Sequence, residues 1–143
     1  MSKSNLTIKD RLEDILESIG LIEEWSQGMT ELRDFMIFPG RVMAFNACVM
    51  RLQVIGEHVG KLLKEQSNPL ESYPEIPWQA IYGMRNIISH EYGNIDETIV
   101  VSVINDDLPK LKAVIKEILS TCTVEKVIFE DEPNIFSNSA LLT

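Results

Sequence analysis

The stretch RVMAFNACVMRLQVIGEHVGKLLK, residues 41–64, decides the fold. Its large apolar side chains recur at steps of three and four residues, which places them on one stripe of an α-helix. These side chains are Val42, Phe45, Val49, Leu52, Ile55, Val59 and Leu62. Gly56 and Gly60 lie inside this helix, where each costs about 1 kcal/mol relative to alanine. We interpret both glycines as positions where a neighbouring helix packs closely against the bare backbone. The stretch therefore predicts a long central helix.

A first helix precedes this central one. Thr7 and Asp10 have the spacing of a capping box, with aspartate in the place of the usual glutamate. Apolar residues then follow a helical stripe from Ile8 to Met29, and a short apolar cluster surrounds Phe35.

Further helices follow the central one. Pro77 is well placed as the first residue of a short helix, and Asp96 as the cap of the next. Because a proline clashes inside a continuous helix, Pro109 indicates that another helix begins at Asp106 or Asp107. The first 120 residues show no competing β-type alternation. The predicted fold is all-α, a bundle of four to five helices.

The length of 143 residues suits one domain. We place the helical bundle in residues 1–122 and an appended acidic tail in residues 123–143, which either docks through Phe129 or Phe136 or is disordered. No apolar run is long enough to cross a bilayer, and the N-terminus has no signal-peptide segment. We therefore expect no membrane association and a cytoplasmic location.

One cluster of polar side chains stands out, MRNIISHEY at residues 84–92. It combines Arg85, Asn86, His90 and Tyr92 where a short helix gives way to a turn. The sequence contains no glycine-rich phosphate loop, no histidine pair at metal spacing and no serine nucleophile elbow. Elsewhere, we interpret His58 as a partly exposed helix residue without a catalytic role.

The spacing within this cluster limits how its members can cooperate. Asn86 and His90 are four residues apart, so they share a helix face and Asn86 could orient the imidazole. Arg85 and His90 are five apart, or about 140° around an ideal helix. They converge only if the helix ends near Ser89 or if a second subunit supplies one of them. A two-fold dimer would bring two arginines and two histidines into one cleft.

Histidine and arginine without a metal suit phosphodiester transfer on RNA. Histidine can take a proton from the ribose 2′-hydroxyl or give one to the departing 5′-oxygen. Arginine can hold the phosphate and stabilise charge that develops on its oxygens. The product would be a 2′,3′-cyclic phosphate. From spacing alone, however, the favoured interpretation is a capped helix end with an ion pair from Arg85 to a nearby carboxylate.

The sequence resembles the HepT-like group of the HEPN superfamily, the toxin half of HEPN/minimal-nucleotidyltransferase toxin–antitoxin modules. The similarity spans about residues 8–119 in the family's order and spacing. The matching motifs are Ile55-Gly56-Glu57, Tyr73-Pro74-Glu75-Ile76-Pro77-Trp78, Gly83-Met84-Arg85-Asn86, Arg85-x4-His90-x-Tyr92, Ile95-Asp96 and Asp107-Leu108-Pro109-x-Leu111.

The resemblance implies a dimerising HEPN-type helical bundle that acts as a metal-independent endoribonuclease, with a cleft shared between subunits. Arg85 and His90 match the catalytic pair, and Asn86 matches the polar residue that supports them. Tyr92 matches the tyrosine that a cognate minimal nucleotidyltransferase antitoxin modifies with AMP. Glu57 matches the family's Gly-Glu, in a structural or site-supporting role. The implied partners are an RNA substrate, the antitoxin and a second copy of the chain. A larger complex with the antitoxin stays an open alternative, and the resemblance implies no cofactor.

Two other hypotheses stay open. One is a non-catalytic HEPN binding module that docks and regulates a nucleotidyltransferase through Tyr92. The other, which rests on fold class alone, is a helical bundle that binds a small ligand.

The net charge of −9 narrows how RNA can bind. An acidic protein does not coat nucleic acid through bulk charge. A narrow cleft made positive by paired Arg85 side chains, and by Arg51, is what this charge allows.

Overall fold

A computed structural model describes the backbone of residues 6–129 and the side chains as far as Cys122. Within this range all regular structure is helical, which confirms the predicted all-α class. The α-helices are α1 (Ile8–Trp25), α2 (Leu32–Met36), α3 (Pro39–Leu63), α4 (Trp78–His90), α5 (Glu97–Ser102) and α6 (Leu108–Phe129). A π-helical turn, Val103–Asp107, joins α5 to α6 without a break. Counted as one, that continuous helix gives five helices in the described chain, four of them long.

The predicted capping box begins α1. The Asp10 amide donates to Thr7 Oγ1 at 3.0 Å, and the Thr7 amide donates back to Asp10 Oδ2 at 3.2 Å. These two bonds satisfy amide groups that have no partner within the helix. The apolar stripe that follows is buried as predicted, through Leu12, Ile15, Ile19 and Ile22.

The central helix α3 packs against α1 on one side and α4 on another. Its apolar stripe forms the middle of the core, and Phe45 meets Phe35 of α2 edge to face with ring centroids 5.3 Å apart. Burial of this stripe against two neighbours is what makes a 25-residue helix with two internal glycines stable.

The helix that carries the candidate cluster begins one residue after Pro77. Trp78 is buried at its start, and its indole Nε1 donates to the Tyr73 carbonyl at 2.9 Å. The helix ends at His90, a 3₁₀ turn follows at Tyr92–Asn94, and Asp96 caps α5 as predicted.

The predicted break before Pro109 is wrong. The chain stays helical through the π turn, where the Leu108 amide bonds the Val103 carbonyl five residues back. This wider turn accommodates the proline, which has no N–H and would clash with a carbonyl in a regular α-helix. Instead of a break in the helix before the proline, the chain has a π turn, which inserts one extra residue into a helical turn.

The boundary of the predicted tail falls inside α6, whose backbone continues to Phe129. Phe136 and the rest of residues 130–143 lie outside the described residues, so the prediction of an appended tail stays a prediction. None of the described helices has the length and apolarity needed to cross a membrane.

Candidate active site

Two glycines of α3 bring α4 into very close contact. A Cβ placed on Gly56 would lie 2.7 Å from the Arg85 Cβ, and one on Gly60 would lie 2.4 Å from Cε1 of Tyr82. Real Cβ atoms do not approach other atoms this closely, so a side chain at position 56 would push α4 away and one at position 60 would displace the Tyr82 ring. This confirms the prediction that the glycines admit a neighbouring helix. The contact at Gly56 also fixes the position of the Arg85 Cβ, from which the rest of the side chain extends.

Arg85 is half-buried beside Gly56, and its guanidinium Nη1 donates to Asn86 Oδ1 at 3.0 Å. Among the described side chains, no carboxylate forms an ion pair with Arg85. The described part of the chain therefore does not contain the ion pair that spacing alone favours.

His90 is the last residue of α4 and is exposed. Because α4 includes both Arg85 and His90, the separation of about 140° expected for five helical residues applies. The helix therefore does not end early enough to turn the two side chains together. The predicted contact of Asn86 with His90 is also not made, since Asn86 instead accepts the bond from Arg85.

Two hydrogen bonds tie the end of α4 to α3. Gln53 Nε2 donates to Ser89 Oγ at 2.8 Å, and the Tyr92 hydroxyl donates to Asn46 Oδ1 at 2.8 Å. These bonds lie on either side of His90 in the sequence. We call residues 89–94 the His90 segment, because both bonds hold this stretch against α3.

Sequence reasoning missed Asn46 and Gln53. The sequence nevertheless indicates that these two residues face α4. They are seven residues apart, so they share a helix face with Gly56 and Gly60. That face is the one that contacts α4. The identity of the α4 partners, Ser89 and Tyr92, depends on how far α4 extends along α3, which periodicity does not give.

The other charged residues named from the sequence are placed differently. Glu57 is half-buried on α3 next to Gly56, and it forms no ion pair with Arg85 among the described side chains. Arg51 Nη1 donates to Ser18 Oγ of α1 at 3.3 Å. The Arg51 side chain therefore extends to α1, and its contribution to a positive dimer cleft stays a prediction.

His58 is buried between α1 and α3, with 6% of its surface exposed, so the prediction of a partly exposed residue is wrong. Arg11 Nη1 lies 3.2 Å from His58 Nδ1, and Asp14 Oδ2 lies 3.3 Å from His58 Nε2. Because arginine only donates, Nδ1 accepts and the proton resides on Nε2, which donates to Asp14. Both ring nitrogens are thus used to join the two helices.

Cys48 is a core residue rather than a nucleophile. It is fully buried, and burial raises the pKa of its thiol to about 11. A thiol with so high a pKa is protonated and unreactive at neutral pH. Within the described chain, no group of three or more histidine, cysteine or acidic side chains has the arrangement of a metal site.

A groove of about 510 Å³ lies between α4 and the α5–α6 helix. Its walls are apolar, with Met84 and Ile87 from α4 facing Ile99 and Val103. Arg85, His90 and Tyr92 do not line it. Because it offers few hydrogen-bonding groups, this groove does not suit a phosphodiester, and the candidate site remains the polar surface where α4 ends.

Comparisons with known proteins identify the family of the chain. Residues 15–118 match the family described as ribonuclease HepT-like. A probable ribonuclease HepT from Thermococcus cleftensis is 34% identical over 104 residues, which cover 73% of this chain and 88% of that protein. A Methanocaldococcus jannaschii protein provisionally named an RNase is 31% identical over 112 residues, or 78% of this chain and 94% of the relative.

A longer Methanocaldococcus jannaschii relative is named for γ-glutamylcyclotransferase activity together with a provisional RNase activity. It is 33% identical over 135 residues, and the matched region is 94% of this chain but only 56% of that protein. No solved structure matches the chain. The family match covers most of the helical bundle and includes α3, α4 and the Arg85-x4-His90 cluster. The chain therefore belongs to the HepT-like ribonuclease family.

Proposed function

We propose that the chain is a metal-independent endoribonuclease in which Arg85 binds the scissile phosphate and His90 transfers protons. The observation that carries the proposal is the Arg85 guanidinium, which is fixed against Gly56 and free of carboxylate partners among the described side chains. A charge held in this way suits a phosphate from outside the chain. His90 is exposed on the same helix and can reach a substrate.

The reaction follows from these two side chains. The ribose 2′-oxygen attacks the adjacent phosphorus, the bond to the 5′-oxygen breaks, and a 2′,3′-cyclic phosphate remains. A neutral His90 imidazole takes the 2′-hydroxyl proton, and a protonated one supplies the proton of the leaving 5′-hydroxyl. Arg85 stabilises the negative charge on the non-bridging oxygens. DNA lacks the attacking group and would not be cleaved.

A two-fold dimer would complete the cleft. Within one chain, Arg85 and His90 diverge around α4, so a pair of subunits that face each other across this surface would supply both groups. The α3 residues Met43 and Met50 support such a contact, because 71% and 53% of their surfaces are exposed. They are on the same helix face as Asn46 and Gln53, next to the His90 segment. Exposed apolar side chains beside a polar site are typical of a surface covered by a partner.

Regulation by a nucleotidyltransferase completes the proposal. We infer that the chain is the toxin of a type II toxin–antitoxin pair, which acts in the cytoplasm on cellular RNA. The cognate antitoxin would AMPylate Tyr92, whose side chain is 47% exposed and accessible to an enzyme. The added phosphate would place negative charge and bulk beside the site and so oppose RNA binding. The non-catalytic alternative uses the same tyrosine but requires no cleavage.

The test is RNA cleavage by the purified protein in EDTA. We expect cleavage of RNA but not of DNA, with 2′,3′-cyclic phosphate ends detected by mass spectrometry. Arg85→Ala should reduce kcat/KM by at least a hundredfold, which is typical of removing a transition-state charge donor. Arg33→Ala is the matched control, because it removes an exposed arginine of α2 that forms an ion pair with Glu31. Absence of cleavage, or equal activity of Arg85→Ala and wild type, would favour the binding module.

A further inference from the structure

We propose that Asn46 is a positioning residue for the His90 segment, acting through the Tyr92 hydroxyl. On this view, AMPylation of Tyr92 does more than block the site, because it also removes the hydrogen bond that holds this segment on α3. The inference deepens the proposed function and rests on it for the role of His90.

The geometry that supports the proposal is a bond between distant parts of the chain. Tyr92 follows His90 by two residues and donates to Asn46 Oδ1 at 2.8 Å, which is a well-formed O–H···O bond. Next to it, the 3₁₀ turn at Tyr92–Asn94 makes few other attachments, and none of its three residues is buried. The Asn46 bond is thus the main side-chain attachment of this turn to the rest of the bundle.

The chemistry of AMPylation is incompatible with this bond. The phenolic oxygen forms a bond to the α-phosphorus of ATP, the bond between that phosphorus and the β-phosphate oxygen breaks, and pyrophosphate leaves. The phenol proton passes to solvent. The resulting ester oxygen carries no hydrogen and can no longer donate to Asn46.

The surroundings of Tyr92 leave little room for the added group. The cavity beside Asn46 and Tyr92 holds only about 70 Å³, whereas pockets for ligands of nucleotide size hold several hundred. Glu97 lines the same cavity and would repel an added phosphate. A nucleotide attached to Tyr92 does not fit this cavity, and repulsion by Glu97 favours displacement of the Tyr92 side chain from α3. Gln53 still bonds Ser89, so the segment loosens after Ser89, a stretch that includes His90 and Tyr92, while the rest of α4 stays attached.

Hydrogen–deuterium exchange tests the proposal without reference to activity. The reporters are the amides of Glu91 and Asn94, which bond to the carbonyls of Ile87 and Glu91 at 2.8 Å each. We expect Asn46→Ala and Tyr92→Phe to speed exchange of this peptide by about two- to tenfold, the equilibrium effect of one hydrogen bond. The double variant should match either single variant, since both remove the same bond. The AMPylated wild type should show the same increase.

Two matched controls remove comparable groups far from the site. Tyr73→Phe removes a hydroxyl near the Glu117 carboxylate, and Asn105→Ala removes an amide that bonds the Thr30 carbonyl. Neither should alter exchange in the peptide. Unchanged exchange in either test variant, or effects that add in the double variant, would overturn the proposal.

Kinetics provide the second measurement. Asn46→Ala and Tyr92→Phe should each lower kcat by about two- to tenfold with KM unchanged, because the phosphate contact through Arg85 is intact. A change in KM with no change in kcat, or full activity together with faster exchange, would show that the bond does not position His90. Wild-type protein that cleaves no RNA would refute the proposed function, while the exchange result would still decide whether Asn46 and Tyr92 hold the segment.

Discussion

The two histidines of this chain lie on opposite sides of α3, and their environments differ in every respect. His58 is buried against α1, with Arg11 at one ring nitrogen and Asp14 at the other. His90 is exposed at the end of α4, where neither nitrogen has a bonded partner among the described side chains. A buried histidine whose two nitrogens bond neighbouring side chains is not accessible to a substrate. The comparison therefore supports a stabilising role for the α1 side of α3, and it is consistent with our proposal that the chemistry takes place on the α4 side.

The largest expected effect is on the α4 side. His90→Ala should lower kcat for RNA cleavage by about 10²- to 10⁴-fold, the contribution of one general acid–base group. The free energy of unfolding should stay within about 0.5 kcal/mol of wild type, since an exposed side chain without partners is removed. Single-turnover cleavage and urea denaturation check the two values. A variant that cuts RNA at the wild-type rate would remove His90 from the mechanism.

Gly56→Ala tests whether the close contact of α3 with α4 determines the position of Arg85. The new Cβ would lie 2.7 Å from the Arg85 Cβ and 3.0 Å from the Ile81 carbonyl oxygen, so α4 must shift. We expect a loss of about 1–3 kcal/mol in the free energy of unfolding, as in overpacked cores. Cleavage should fall by about tenfold to a hundredfold because Arg85 moves with the helix.

Gly20→Ala is the control for this substitution. Gly20 is in α1 and exposed, and a Cβ there would meet no atom within 4 Å. This variant should gain about 0.5–1 kcal/mol of stability from helix propensity and keep wild-type activity. If Gly56→Ala behaved like Gly20→Ala, the close contact of α3 with α4 would have no bearing on the site.

The α1 side gives the opposite pattern. His58→Ala should lower the free energy of unfolding by about 1–3 kcal/mol, because a buried Arg11 donor loses its acceptor. Cleavage per folded molecule should be unchanged at a temperature well below the unfolding transition. Activity and urea denaturation measured on the same sample separate the two effects. A specific activity that drops with His58 would mean that the two sides of α3 are coupled.

The same contrast shows what the sequence could and could not predict. The helices, their caps at Thr7 and Asp96 and the close approach at Gly56 follow from local periodicity and residue chemistry, and the structure has them. The burial of His58 could also have been predicted, since it is on the apolar stripe between Ile55 and Leu62. Its polar ring favoured an exposed position because the sequence does not show that Arg11 and Asp14 of α1 are its partners.

The missed features have two causes, one local and one that depends on contacts between distant elements. The π turn before Pro109 depends on a local widening that the usual rule for proline omits. Asn46 and Gln53 become site residues only when the end of α4 reaches them. The sequence therefore predicts the groups that could do chemistry better than the groups that hold them in place.

The smallest expected effect is a loss of stability at low pH, and it concerns a residue on the α4 side. Asp96 caps α5 directly after the His90 segment, and the Thr98 hydroxyl bond lowers the pKa of its carboxyl from the ordinary 3.8, helped by backbone amides of Thr98 and Ile99. Because the unfolded chain takes up this proton at higher pH than the folded chain, the stabilisation is complete well above pH 3.8 and is lost as pH falls below it.

Asp96→Asn retains a capping oxygen but does not titrate, so it isolates this effect. The wild type should be the more stable protein at pH 7, and its advantage over the variant should shrink when the pH is lowered to about 3. Urea denaturation at both pH values measures the difference, and Glu97→Gln, which removes the neighbouring carboxylate but no cap, is the control. An advantage that stays constant with pH would mean that the Asp96 charge does not stabilise the start of α5. The boundary of the His90 segment would then depend on the Tyr92–Asn46 bond and the backbone turn alone.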